Sequence, residues 1–251
     1  MRQEKKIAAA EKNNIVFVSG GSRGIGAGIA VELAVAGYDI WLNYRSSSDA
    51  AMEVKTKIEE MGRSCTLLPF DVSDEAAATK VLEPLLDDVV PYGMVHNAGI
   101  ARDNIMPLMQ RNEWDKVIDV HLNSFFILGR LFSKMMLTKR RGRIISIASI
   151  SGETGQAGQT NYAAAKGGLI AASKSLAREL GRRNILVNVV SPGLIDTEMI
   201  EKLPLDKILP LIPLGRVGKV KEISGVVRFL LSSDADYITG QVISVNGGMY
   251  M

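Results

Sequence analysis

The sequence predicts an α/β fold in which about seven strands form one doubly wound parallel sheet, with helices on both faces. Three observations predict it. Short β-branched and apolar runs alternate with helical periodicity along the chain, an order that pairs strands in parallel through right-handed crossovers. The first such run is followed at once by a cluster of glycines. The chain has 251 residues, 47% of them hydrophobic, without a repeat or a domain-splitting linker. That is enough for one sizeable core. A polar leader is expected over 1–13 and a single domain over 14–251.

Residues 15–18 (IVFV) form the first predicted buried strand. Gly20, Gly21, Gly24 and Gly26 follow, and helical periodicity then runs over 25–36 until Gly37. Glycines between a strand and a helix let the backbone approach a pyrophosphate. The helix N-terminus adds free N–H groups and a positive dipole end. This is a Rossmann-like, dinucleotide-binding context, with Gly20, Ser22, Arg23, Gly24, Ile25 and Gly26 as candidate contacts. The second strand, 39–44 (DIWLNY), ends in Asn43, Tyr44, Arg45 and Ser46, without an acidic side chain to accept from a ribose 2′-OH. Arg45 with Arg23 suits a 2′-phosphate instead, so NADP(H) is the expected cofactor, with Asn43 beside it.

A helix over 50–60 stops at Gly62, and a third strand over 64–70 ends at Asp71. Asp71 and Val72 are placed to meet an adenine edge; the Asp is equally placed to cap the next helix, expected over 74–88 across Pro84. A strand at 93–95 runs into His96, Asn97, Ala98 and Gly99, small residues at 97–99 that suit close contact with a cofactor. One long helix is expected over 113–139, with Val117, Val120, His121, Phe125, Leu128, Phe132 and Met136 facing inward. A strand over 185–190 closes on Ser191, Pro192 and Gly193. The irregular stretch 194–217, with Pro204, Pro210 and Pro213, is a candidate substrate lid. A helix over 219–232 and a strand over 241–246 complete the pattern.

The candidate chemistry lies in 143–174. A buried strand over 143–149 ends at Ser149, a Gly-rich loop spans 152–158, and a helix over 158–182 carries Tyr162 and Lys166. Four residues apart, these two share a helix face. An ammonium beside a phenol lowers the phenol's pKa, and a strand-end hydroxyl holds a carbonyl oxygen in front of it. The trio is a proton-donating site for alcohol/ketone interconversion and contains no metal ligand. The Tyr–Lys spacing alone also fits a solvated helix face.

Charge is nearly balanced, 30 Lys+Arg against 27 Asp+Glu, which argues for neither nucleic acid nor a membrane surface. One cysteine, Cys65, excludes an internal disulfide and reads as a small core residue. No apolar run approaches the roughly 18–20 residues of a membrane span. The leader lacks an apolar signal-peptide core, so a cytoplasmic enzyme is expected.

Together these residues resemble the short-chain dehydrogenase/reductase family over nearly the whole chain. The run from Ser19 to Gly26, then Asp71, Asn97-Ala98-Gly99, Ser149, Tyr162, Lys166 and Pro192-Gly193 match its motifs in order. The stretches GRIISIAS, QTNYAAAKGGL, KSLAREL, GLIDTEM and YITGQVISVNGGMYM resemble, within that family, the bacterial 3-oxoacyl-(acyl-carrier-protein) reductases. The resemblance implies an NADPH-dependent homotetramer that reduces a β-ketoacyl thioester on an acyl carrier protein in fatty-acid-type chain elongation. It implies proton donation by Tyr162, positioning of the carbonyl oxygen by Ser149, and Lys166 on the nicotinamide ribose. It implies contacts to the carboxamide from backbone near Ile195 and from the Thr197 hydroxyl, beside Pro192 and Gly193. Arg140 and Arg183 correspond to arginines that flank the entrance and bind the acidic carrier; Lys139, Arg141 and Arg182 extend that basic character. Two residues depart from the pattern. His96 replaces a usual Asn. His121 stands where the family places its fourth catalytic residue, an Asn, and is expected to support the proton relay; a plain core histidine is the alternative. Asn123 is expected to face elsewhere on a regular helix. The departures leave open a ketoreductase of a dedicated polyketide-like or aryl-polyene pathway, an acetoacetyl-CoA reductase, or a weakly active NADP-binding structural partner.

Overall fold

Seven short apolar runs pair into one parallel sheet because each is bounded by turn residues and separated from the next by helical sequence. The computed structural model describes residues 14–200 and 204–251, so the expected leader at 1–13 lies outside the described residues. The strands are β1 (Ile15–Val18), β2 (Asp39–Tyr44), β3 (Cys65–Pro69), β4 (Gly93–His96), β5 (Gly142–Ile147), β6 (Ile185–Pro192) and β7 (Val242–Val245). They run in the order β3-β2-β1-β4-β5-β6-β7. The chain winds outward from β1 to β3 and then restarts on the other side at β4. That reversal opens a crevice at the C-terminal ends of β1 and β4, where sheets of this kind bind ligands.

Helices cover both faces. Helices α1 (Gly24–Val35), α2 (Ser48–Glu60) and α8 (Val220–Leu231) lie on one side, where Ile29, Leu33, Ile58, Val227 and Leu230 pack on Val16, Ile40 and Ile145. Helices α3 (Glu75–Asp88), α4 (Arg111–Ile118), α5 (Ser124–Lys139) and α7 (Thr160–Leu180) lie on the other. There Leu82, Leu128, Phe132 and Leu169 meet Phe17, Met94 and Ile144. Alternate strand residues feed the two cores, as the two-residue period requires. Cys65 is buried among them. Burial pushes its thiol up to about 12, so it is an inert core residue. Among the described residues, no helix is long and apolar enough to cross a membrane.

The structure corrects three local expectations. The helix over 113–139 is helical throughout but not regular: a π turn, Asp119–Asn123, is inserted between α4 and α5. Here the Ser124 N–H reaches back five residues to Asp119 O, one residue beyond the α-helical acceptor, and His121 within the turn is buried. The Gly-rich loop begins as a helical turn, α6 (Ser151–Thr154), that lies directly on α7. A Cβ on Gly152 would sit 2.7 Å from Lys166 Cβ, so only glycine allows that approach. The cap of α3 is Asp74, which accepts from Ala77 N at 3.0 Å. Asp71 instead folds onto its own turn, accepting from Ser73 N at 2.9 Å and Ser73 Oγ at 2.6 Å.

Candidate active site

Helix α1 starts after Gly20 and at Gly24, both at positive φ, with Arg23 as an N-cap whose side chain makes no capping bond and no acidic residue in the first turn. The first-turn N–H groups therefore keep their donor capacity, in contrast to the Asp74-capped α3. The turn is also held for close approach. A Cβ on Gly20 would lie 2.9 Å from Ala98 Cα, and one on Gly26 would lie 2.2 Å from Gly20 O. Asn97 Nδ2 donates to Ser19 O and Gly20 O, both at 3.1 Å. Ser19 Oγ accepts from Asn97 N at 2.9 Å and Ala98 N at 3.0 Å. So the strand end at 97–99 is welded to the glycine turn across the switch point. Thr197 closes the cradle from above, with its Cγ2 3.6 Å from where a Gly24 Cβ would stand. An uncapped first turn lined by glycines fits a pyrophosphate.

At the end of β2 the expected residues divide. Asn43 is buried, and its side chain is committed: Oδ1 accepts from Gly20 N at 3.3 Å, while Nδ2 donates to Leu68 O at 3.1 Å and Phe70 O at 2.9 Å. It braces the cofactor turn, with both amide hydrogens and one oxygen lone pair committed to the protein. Arg23 and Arg45 are exposed. Arg23 Nη2 donates to Ser47 Oγ at 2.9 Å, which brings it to the end of β2 beside Arg45. Arg45 Nη1 lies 3.7 Å from Asp71 Oδ2. Burial raises the Asp71 carboxyl, but the Ser73 bonds and Arg45 outweigh it and hold the group below its usual value. Val72 is buried in the lower core, so its side chain faces away from the crevice. Ser22 lies in the turn itself and Ile25 in the first turn of α1, and Gly193 approaches so near Asn246 that a Cβ would stand 2.7 Å from its Cα. Pro192 ends β6. Ile195 is buried, leaving only its backbone to a ligand, and its O accepts from Thr197 Oγ1 at 3.3 Å.

Ser149, Tyr162 and Lys166 come together just beyond the C-terminal end of β5. Lys166 Nζ donates to Ile147 O at 2.7 Å and lies 5.6 Å from the Tyr162 ring centroid. Burial pushes the Tyr162 phenol up to about 12; a hydrogen bond with Ser149 opposes the rise and Asp103 adds to it. Burial likewise pushes Lys166 down to about 7. The sequence argument had the ammonium lowering the phenol. In the structure desolvation governs both groups, because the ammonium is directed to a main-chain carbonyl behind the ring. A positive charge or dipole entering the crevice beside Tyr162 would lower the phenol toward the physiological range, where Lys166 already lies.

His121 joins this trio. Its ring meets Tyr162 edge-on, with centroids 5.2 Å apart. Gly99 makes the room, since a Cβ there would stand 2.3 Å from His121 Cε1. Burial and the nearby Lys166 hold the imidazole well below its ordinary pKa, so it is neutral. Three supporting residues were not singled out from sequence. Ser19 is described above. Asn161 Oδ1 accepts from Tyr162 N at 2.8 Å while Nδ2 donates to Arg102 O at 2.9 Å, tying the first turn of α7 to the loop after β4. Ser191 Oγ bonds Glu153 Oε1 at 2.5 Å, holding α6 to β6. A polar residue directly ahead of Tyr162 was the one available signal.

Arg140 and Arg183 are elsewhere. Arg140 ends α5 in the left-handed region immediately before β5, and Arg183 ends a 3-10 turn before β6. Both stand at the N-terminal edge of the sheet, a strand length of roughly 20 Å from the Tyr162 edge. The fold does not bring them to the entrance of this chain's own site.

A glycine-turn cradle at a switch point, with a serine, tyrosine and lysine converging beside it, defines a nicotinamide-dependent oxidoreductase of the doubly wound class. The chain belongs to the short-chain dehydrogenase/reductase family. A family model described as enoyl-(acyl carrier protein) reductase matches residues 20–250. The 3-oxoacyl-(acyl-carrier-protein) reductase FabG of Aggregatibacter actinomycetemcomitans is 43% identical over 237 residues, covering 93% of this chain and 98% of that relative. FabG of Escherichia coli is 43% identical over 244 residues, 96% of this chain and 98% of the relative. The 3-oxoacyl-(acyl-carrier-protein) reductase of Synechocystis is 40% identical over 239 residues, 94% and 97% respectively.

Proposed function

We propose that this chain reduces a β-ketoacyl thioester, carried on an acyl carrier protein, to the β-hydroxyacyl thioester with NADPH. The observation that carries the reading is the convergence of Ser149, Tyr162 and Lys166 beside an uncapped, glycine-lined helix start. The relatives named as 3-oxoacyl reductases, which match across almost the whole chain, support the substrate class. A hydroxyl pair aimed at one oxygen suits a carbonyl, which favours this reaction over the enoyl reduction in the family model's description.

The nicotinamide supplies the hydride for the β-carbon. Gly20, Ser22, Gly24, Ile25 and Gly26 receive the pyrophosphate; Asp71, Val72 backbone, Asn97, Ala98 and Gly99 line the dinucleotide; Pro192, Gly193, Ile195 and Thr197 meet its far end. Arg23 and Arg45 favour the 2′-phosphate of NADP(H) over a plain ribose. Ser149 fixes the carbonyl oxygen, Tyr162 protonates it, and Lys166 steadies the phenolate that results. His121 packs the Tyr162 ring into place. Residues 14–251 act as one cofactor-binding domain. Assembly as a homotetramer is supported by the exposed apolar face of α5, where Phe126 is 60% exposed. In such an assembly Arg140 and Arg183 serve a carrier protein docked near a neighbouring copy's entrance.

The test is NADPH oxidation with acetoacetyl thioester on CoA and on carrier protein, with NADH and an enoyl thioester as controls. Turnover favouring NADPH, the keto substrate and the carrier is expected, and Tyr162→Phe should remove most of it while leaving NADPH binding intact. Wild-type turnover in Tyr162→Phe would reject the site assignment.

A further inference from the structure

The chain contains two histidines, His96 and His121. They are 0% and 1% exposed. The geometry fixes the tautomer of one of them. His121 Nε2 stands 2.8 Å from Ile100 O and 3.1 Å from Ile100 N, so either tautomer of this ring finds a partner in that one peptide segment. Ser124 Oγ stands 2.5 Å from Val120 O, so the serine gives its one proton to that carbonyl. It can then only accept from His96 Nε2, 2.8 Å away. His96 therefore carries its proton on Nε2 and leaves Nδ1 as a buried acceptor; Nδ1 of both rings is without a partner among the described residues.

The serine between them sits at the end of the π turn. Its N–H has moved from the α-helical acceptor, Val120 O, to Asp119 O, and its hydroxyl now bonds Val120 O instead. The side chain thus supplies the bond that the π turn removes. His96, from the end of β4, orients that hydroxyl. We propose that His96 is a positioning residue: through Ser124 it latches the π turn that presents His121 to Tyr162. The inference rests on the reductase reading only for the consequence to turnover, because the latch itself is a matter of hydrogen bonds.

Nitrogen NMR of the histidine rings tests it without substrate, and the single-histidine protein His121→Asn assigns the spectrum. In the wild type His96 should show a protonated Nε2 and a bare Nδ1 at neutral pH. Ser124→Ala deletes both bonds with little change in volume, and His96→Phe deletes the donor while keeping a ring against Phe125. Either should shift or broaden the His121 signals. Where turnover is measurable, Ser124→Ala should lower kcat roughly tenfold with the NADPH KM changed less than about twofold. In a His121→Asn background the same substitution should cost little more. A protonated Nδ1 on His96, unmoved His121 signals in Ser124→Ala, or a kcat loss independent of His121 would each overturn the latch. Shifted His121 signals in a protein with no β-ketoacyl turnover would support the latch and reject the reductase reading.

Discussion

Lys166 and Arg143 are both buried cations, 3% and 4% exposed, at opposite edges of the same central strand region. Arg143, at the N-terminal edge, is answered on nearly every side. Its Nη1 donates to Gly142 O at 3.1 Å, its Nη2 pairs with Asp236, and its guanidinium lies 5.5 Å from the Tyr92 ring centroid, leaving only Nε without a partner. Lys166, at the C-terminal edge, has one carbonyl partner and, among the described residues, no carboxylate. A buried cation with a counter-charge and an aromatic face is a structural element. A buried ammonium without a counter-charge is held near neutrality, so small changes in the charge beside it change its state. The two edges of the sheet therefore use buried charge for opposite purposes.

The largest expected effect that can break this contrast is on turnover. Lys166→Met should lower kcat by about 10²–10⁴ with the fold retained, whereas Arg143→Met should leave kcat within about threefold and lower the melting temperature. Equal effects on kcat would erase the distinction. Stability against pH comes next. The folded Lys166 value, about 7, lies below the ordinary 10.5. Between those values the unfolded chain binds more protons, so the lysine's contribution is fully present above 10.5 and is lost as pH falls toward 7. At about 1.4 kcal/mol per unit, the rise across that window is at most about 5 kcal/mol. Urea unfolding without added nucleotide should show this slope in the wild type and lose it in Lys166→Met.

Asp236→Asn sharpens the other side. It strips Arg143 of its counter-charge, but Asp236 is 64% exposed and partly screened. A loss of about 1–2 kcal/mol in stability with unchanged turnover is expected from denaturant melts. The smallest effect belongs to a cation of a third kind, the exposed Arg45. Arg45→Ala should reduce kcat/KM for NADPH about tenfold and leave NADH nearly unaffected. A parallel loss for both cofactors would remove Arg45 from 2′-phosphate recognition.

What the sequence determined by itself was everything carried by local pattern. The strand at Ile15–Val18 and the strand at Asp39–Tyr44 were legible to the residue, because a two-residue or continuous apolar period bounded by turn residues needs no distant partner to be read. The glycine turn and the Tyr162–Lys166 spacing were legible for the same reason. The tertiary structure decided what depends on partners remote in the chain. Asn43 became a brace because Gly20, in the turn after β1, and Leu68 and Phe70, at the end of β3, converge on it. The helix over 113–139 took a π turn where Ser124 accepts from a histidine at the end of β4. Tyr162 and Lys166 shifted away from each other in pKa, against the local argument, because burial outweighs a neighbouring charge that points elsewhere. Arg140 and Arg183 fell at the far edge because residues that precede a parallel strand and residues that follow it are separated by its whole length. Period and spacing are local and written in order; burial, proton placement and edge are set by contacts between residues far apart, and only the folded chain specifies those.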